Sequence, residues 1–107
     1  LVEGDGGFAQ NIQELGTVAI NNLNIKIFIF DDLGYASIRA TQKNYFNGSY
    51  VGCDNKTGLG LPNWKKLFYA WKIPSLEVRN GFSDDLNFLK LFNSYGPAAF
   101  IVKIDPN

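Results

Sequence analysis

The chain contains no histidine and no methionine, and its single cysteine is Cys53. Without imidazole, Ser–His–Asp and Cys–His nucleophile systems are excluded within these residues, as are zinc sites built on histidine. One cysteine excludes an internal disulfide and any CxxC metal knot, and it favours a reducing, cytoplasmic setting. Net charge is missing as well: ten basic residues offset ten acidic ones. This removes the basic footprint of a nucleic-acid binder, so no nucleic-acid partner is expected. No apolar run approaches the roughly 20 residues of a membrane helix, and no secretory leader is visible. A start without methionine, inside a strand-like segment, reads as a piece of a longer protein.

What remains suits a packed domain. Of 107 residues, 46% are apolar and 15% aromatic, enough for one small core. Residues 1–4 read as the tail of a strand. Phe8, Ile12, Leu15 and Ala19 fall at i, i+4, i+7 and i+11, one face of a helix running to about Asn22. "IKIFIF" (Ile25–Phe30) has the length and apolarity of a strand buried on both faces. Leu33–Phe46 reads as a turn and a short helix, and the Gly-rich stretch Asn47–Pro62 as a long loop. Trp64, Leu67, Phe68 and Trp71 mark a second amphipathic helix, with both tryptophans assigned to the core. Pro74 ends it and Ser75–Val78 forms a short strand. Ser83 is the expected N-cap of a helix reaching about Tyr95, and Gly96 and Pro97 end it. Ala98–Ile104 is the last strand. Strands and helices alternating in this way predict an α/β fold, a parallel sheet with helices on both faces.

Two acidic sites stand out. Asp5 lies among Gly4, Gly6 and Gly7, and Asp31-Asp32 closes the next apolar run, with Asp32 27 positions after Asp5. One helix and one strand fill that interval, so a right-handed βαβ unit brings both sites to the same sheet edge, where open α/β sheets bind ligands. Glycines let a ligand approach the backbone, and a helix N-terminus offers N–H groups to an anion. Carboxylates beside an anion require a bridging cation, and Mg²⁺ takes hard oxygen ligands of this kind. The residues thus read as a Mg²⁺–diphosphate site between two βα turns. The plainer reading is a tight turn at "GDGG" and a solvated turn at "DD".

The stretch "GDGGFAQNIQELGTVAINNLNIKIFIFDDLGYASIRATQ" resembles the thiamine-diphosphate motif of the acetolactate synthase and pyruvate decarboxylase superfamily. That motif opens with Gly-Asp-Gly and closes, after a helix and an apolar strand, with two asparagines. The resemblance covers essentially the whole chain and implies that residues 1–107 are a fragment of one C-terminal diphosphate- and Mg²⁺-binding domain, with the upstream domains outside it. It implies cofactor contacts at Gly4, Asp5, Gly6, Gly7, Asp32 and Tyr35, and metal contacts at Asp5, Asp32 and the Gly34 carbonyl. It further implies a small-molecule 2-oxo acid substrate and a homodimer or homotetramer. The catalytic glutamate would come from another domain or subunit, leaving no catalytic residue in this chain. Two departures are Asp-Asp in place of Asn-Asn, and "ASIRATQ" (Ala36–Gln42) where acetolactate synthases carry methionine and tryptophan. The second points to synthase-like homologues with other carboligation or decarboxylation products.

Two alternatives stay open. One is a remnant that keeps the fold without the cofactor. The other is a Mg²⁺-binding phospho-receiver, which also carries an acidic pair. A receiver places that pair after its first strand and ends a later strand in aspartate. Here the pair follows the second strand and "SLEV" has no such residue. Among the remaining polar residues, Arg39 is expected on a solvated helix face. Cys53, with no histidine to activate it, is not expected to be a nucleophile.

Overall fold

The computed structural model describes residues 1–105. Four parallel strands, β1 (Val2–Gly4), β2 (Lys26–Asp31), β3 (Ser75–Val78) and β4 (Ala98–Lys103), form one sheet in the order β1-β2-β4-β3. The helical elements are α1 (Asp5–Phe8), α2 (Leu15–Ile20), α3 (Ala36–Tyr45), α4 (Trp64–Ala70) and α5 (Leu86–Phe92). Chain direction along the sheet decides which face each helix covers. The steps from β1 to β2, and from β2 past β4 to β3, run one way, and α1, α2 and α4 pack on one face around Ile27, Ile29, Ala99 and Ile101. The step from β3 back to β4 reverses, and α5 packs on the other face around Ala98 and Phe100. Such a switch is what right-handed crossovers require. The parallel sheet with helices on both faces is therefore as the alternation predicts.

The two cores differ in character. On the first face Phe8 meets Trp64 edge-on at 5.6 Å and Phe68 at 5.9 Å. On the second, aromatic rings dominate: Phe100 lies 5.0 Å from Phe28 and 4.9 Å from Phe88, with Phe82 and Phe92 completing the group. Offset and edge-on rings at these separations add to the burial of their area.

Several local boundaries depart from the sequence pattern. The first helix is not one continuous run to Asn22: helical backbone starts at Asp5, and a 3₁₀ segment at Ala9–Glu14, with Asn11 at φ −135°, splits it from α2. Ser83 is not the cap of α5. It sits in a 3₁₀ turn (Phe82–Asp84), and the Asp85 carboxylate accepts from the N–H groups of Asn87 at 2.8 Å and Phe88 at 3.1 Å. The helix stops at Phe92, short of Tyr95. Trp64 is buried as expected, but Trp71 is 39% exposed at the C-cap of α4. Its ring covers Gly16, where an added Cβ would lie 3.2 Å from it. Strand β2 is buried on one face along Ile27 and Ile29, and on the other Phe28 packs into the aromatic group while Phe30 is exposed. Among the described residues no helix is long and apolar enough to cross a membrane.

Phe100 touches neither of the acidic sites, so it isolates the contribution of packing. Phe100→Ala in the full-length protein is expected to cost about 3–5 kcal/mol of domain stability, read from urea denaturation. A loss below about 1 kcal/mol would contradict the packing described.

Candidate functional site

Strand register sets the geometry. Gly4 pairs with Phe30 and Asp31 pairs with Lys103, so the residues that follow β1 and β2 leave the sheet at the same height and the same edge. Asp5 opens α1 directly after Gly4 and is 1% exposed. Its Oδ1 accepts from the Gly6 N–H at 2.7 Å and its Oδ2 from the Gly34 N–H at 3.1 Å. One carboxylate thus ties the first βα turn to the second. Burial pushes the Asp5 carboxyl up to about 6 from the usual 3.8, and the Asp32 charge pushes the same way. The two N–H bonds pull it part of the way back.

Asp32 is the other half of the site. Its Oδ1 is buried and has no hydrogen-bond partner, although buried carboxylate oxygens are ordinarily paired. Two carboxylates this close, one with an unmet buried oxygen, form a donor set that a hard cation completes. Among the described residues no third Asp, Glu, His or Cys joins them. Further ligands would be main-chain carbonyls, water or phosphate oxygens. The residues present therefore fit a Mg²⁺ ion bridging to a diphosphate.

The "DD" pair is divided between two tasks. In β2, side chains alternate, so Asp31 continues the row of Ile27 and Ile29. Lys103 continues the row of Ala99 and Ile101 in β4. The two charges meet at 2.5 Å, with the Asp31 carboxylate 6% exposed. Asp31 is thereby neutralised and faces a cavity of about 210 Å³ bounded also by Glu77, Trp64 and Asn63. Asp32 turns the other way, toward Asp5. Neither Lys103 nor the separation of the pair was foreseen from the sequence. The alternating parity of the two strands carries the signal.

The turn between Asp32 and α3 is strained. Leu33 has φ +64° and Gly34 has φ +142°, and a non-glycine residue rarely adopts the left-handed region. The loop Asn47–Pro62, expected to be simply long, folds back onto this turn. Gly34 and Asp54 form an antiparallel bridge, and the Tyr35 N–H donates to the Cys53 carbonyl at 2.8 Å. A Cβ on Gly34 would lie 2.2 Å from that carbonyl oxygen, so only glycine fits. The Tyr35 ring lies against Gly6, where a Cβ would come within 2.2 Å of it. Gly4 has open space around it, and Gly7 faces the flexible Glu3 side chain.

Arg39 is not solvated as expected. Its side chain is 16% exposed, and its guanidinium reaches the Asp54 carboxylate at 3.5 Å and donates to the Asp32 main-chain carbonyl at 3.3 Å. Cys53 is fully buried beside Thr57, with its Sγ 3.6 Å from the hydroxyl, which agrees with its reading as unreactive. Tyr45 and Phe46 are exposed on the far end of α3.

Comparison with known proteins bears on this geometry. The family model described as "Thiamine pyrophosphate enzyme, C-terminal TPP binding domain" matches residues 1–105. The acetolactate synthase large subunit of Porphyra purpurea is 29% identical over 106 residues, which are 99% of this chain and 18% of that protein. The isozyme 2 large subunit of Escherichia coli (strain K12) is 30% identical over 104 residues, again 18% of its length. The chain thus spans under a fifth of these relatives. Benzoylformate decarboxylase from Polynucleobacter necessarius superposes with a TM-score of 0.81 at 18% identity, covering 99% of this chain and 19% of that one. At that identity the likeness bears on the fold, which it matches from end to end. With the family model spanning all the described residues, the chain belongs to the thiamine pyrophosphate enzymes, as their C-terminal TPP-binding domain.

Proposed function

We propose that this chain is the diphosphate-binding part of a thiamine-diphosphate-dependent enzyme that decarboxylates a 2-oxo acid or joins it to a carbonyl acceptor. The observation that carries the reading is the buried, unpartnered Oδ1 of Asp32, on a residue close enough to the buried Asp5 for its charge to act there. In this reading Asp5, Asp32 and the Gly34 carbonyl hold Mg²⁺. The backbone at Gly4, Gly6 and Gly7 lines the diphosphate, and Tyr35 closes the site over Gly6. Thiamine diphosphate, when bound, supplies a carbon nucleophile and an electron sink for decarboxylation.

The work of this chain is to bind and to orient. Asp5 arrives already fixed by the Gly6 and Gly34 N–H groups, so little freedom is lost on metal binding. Asp31 is held by Lys103 and does not compete for the ion. In this reading a glutamate of another domain or subunit, in a homodimer or homotetramer, takes the catalytic role. The lone buried thiol suits a reducing, cytoplasmic compartment. "ASIRATQ" after the acidic pair favours products other than acetolactate.

Titration calorimetry of the full-length protein with thiamine diphosphate tests the reading. Binding is expected in Mg²⁺ and not in EDTA. Asp5→Ala abolishes it, while Asp32→Asn preserves or tightens it by removing one negative charge beside the diphosphate. Binding that is absent in Mg²⁺ would sink the proposal in favour of a remnant that keeps only the fold.

The Asp5 pKa gives a second expectation. The folded carboxyl holds its proton to about pH 6, the unfolded one only to 3.8. Without metal, stability at this site is therefore full below pH 3.8 and declines as the pH rises to 6. A cation reverses this by favouring the ionised form. The rise in unfolding temperature between EDTA and Mg²⁺ should be larger at about pH 7.5 than at about pH 5. An equal or smaller rise at the higher pH would contradict the assignment of Asp5 to the metal.

A further inference from the structure

We propose that Arg39 is a positioning residue, whose guanidinium bridges the Asp54 carboxylate and the Asp32 main-chain carbonyl and so holds the strained Asp32–Gly34 turn in its ligand-presenting shape. The inference rests on the cofactor reading above and assigns to it a part of the chain remote from the GDG motif.

Leu33 at φ +64° is a conformation that persists only where surrounding structure fixes it, and Gly34 at φ +142° is open only to glycine. Both sit between Asp32, one half of the acidic pair, and the Gly34 N–H that holds Asp5. If this turn relaxes, Asp32 and the Asp5–Gly34 bond move together. Three contacts hold it from outside. The Tyr35 N–H donates to the Cys53 carbonyl at 2.8 Å, Arg39 donates to the Asp32 carbonyl at 3.3 Å, and Arg39 pairs with Asp54 at 3.5 Å.

The Asp54 side of the bracket is itself built. Its Oδ1 accepts from the Thr57 N–H at 3.1 Å and the Thr57 hydroxyl at 2.9 Å, leaving Oδ2 for Arg39. The Thr57 hydroxyl in turn accepts from the Cys53 N–H at 3.1 Å. Asp54 is thus fixed relative to Cys53, the residue whose carbonyl caps the turn. Arg39 is fixed on α3, which starts at Ala36, and its own N–H donates to the Tyr35 carbonyl. A guanidinium suits this position because its planar fork serves two acceptors at once, which a lysine ammonium on a flexible stem does less well. Nearby groups that orient ligands typically change metal affinity by about 10- to 100-fold when removed.

The test uses the full-length protein and Mn²⁺ as the probe, its free form read by electron paramagnetic resonance with thiamine diphosphate present. Hydrogen exchange of the metal-free protein is followed alongside. Arg39→Met and Asp54→Asn should each weaken Mn²⁺ binding by about 10- to 100-fold. The double variant should be no weaker than the single ones, and Arg39→Lys should fall between wild type and Arg39→Met. Exchange should rise across residues 32–35 and 52–57 while that of β4 is unchanged. The Asn variant keeps the Thr57 bonds, so it carries the test if Arg39→Met fails to fold. Mn²⁺ affinity within about twofold of wild type in both single variants would overturn the inference and leave the cofactor reading standing. Faster exchange throughout the chain would also overturn it, since that marks general destabilisation. A wild-type protein that takes up no Mn²⁺ would overturn the cofactor reading itself.

Discussion

The Asp5 carboxylate joins its own turn to one centred 29 residues further on, at Gly34, and the geometry of the site depends on that junction. One oxygen accepts from Gly6 in the first βα turn and the other from Gly34 in the second. A buried carboxylate is tolerable only when its oxygens are met or its charge is balanced. The backbone meets the oxygens, while burial and the neighbouring Asp32 charge still push the carboxyl up. Asp32 adds a second charge with an unmet buried oxygen. Without a counter-charge, two buried carboxylate groups this close are costly, and a hard cation is the kind of group that would offset them. That cost is a common property of functional sites, which give up local stability for a ready geometry.

The substitution of Asp-Asp for the asparagine pair is milder than it looks in the sequence. In the proposed reading only Asp32 adds charge to the cofactor side, because Asp31 is spent on Lys103 across the β2–β4 pairing. An ion pair in which one partner is 6% exposed also fixes strand ends that a solvated turn would leave loose. Removing one partner of such a pair leaves an uncompensated buried charge. The Asp31–Lys103 pair therefore has a structural reason to persist that is independent of the metal.

The sheet, its parallel order and the helix faces were legible in the sequence, because hydrophobic periodicity and strand–helix alternation are local signals that tertiary packing here reinforces. The Asp5–Asp32 approach was legible too, since a right-handed βα step fixes where consecutive strands end. The Asn47–Pro62 stretch was legible as a loop, but its return to Gly34 was not. That return is carried by main-chain bonds and by Arg39–Asp54, which leave no periodic trace. Ser83 lost the cap to Asp85 because a 3₁₀ turn after Gly81, at φ +81°, moved the helix start by two residues. Trp71 shares a helical spacing with Trp64, yet α4 ends at Ala70, so its ring leaves the buried stripe and lies over Gly16.

The most direct test is a crystal structure of the full-length protein with Mg²⁺ and thiamine diphosphate. The account predicts a metal held by the Asp5 and Asp32 carboxylates and the Gly34 carbonyl, beside the cofactor's diphosphate. Asp31 should remain paired with Lys103. A metal held by Asp31, or an Asp32 carboxylate turned away and paired elsewhere, would contradict it.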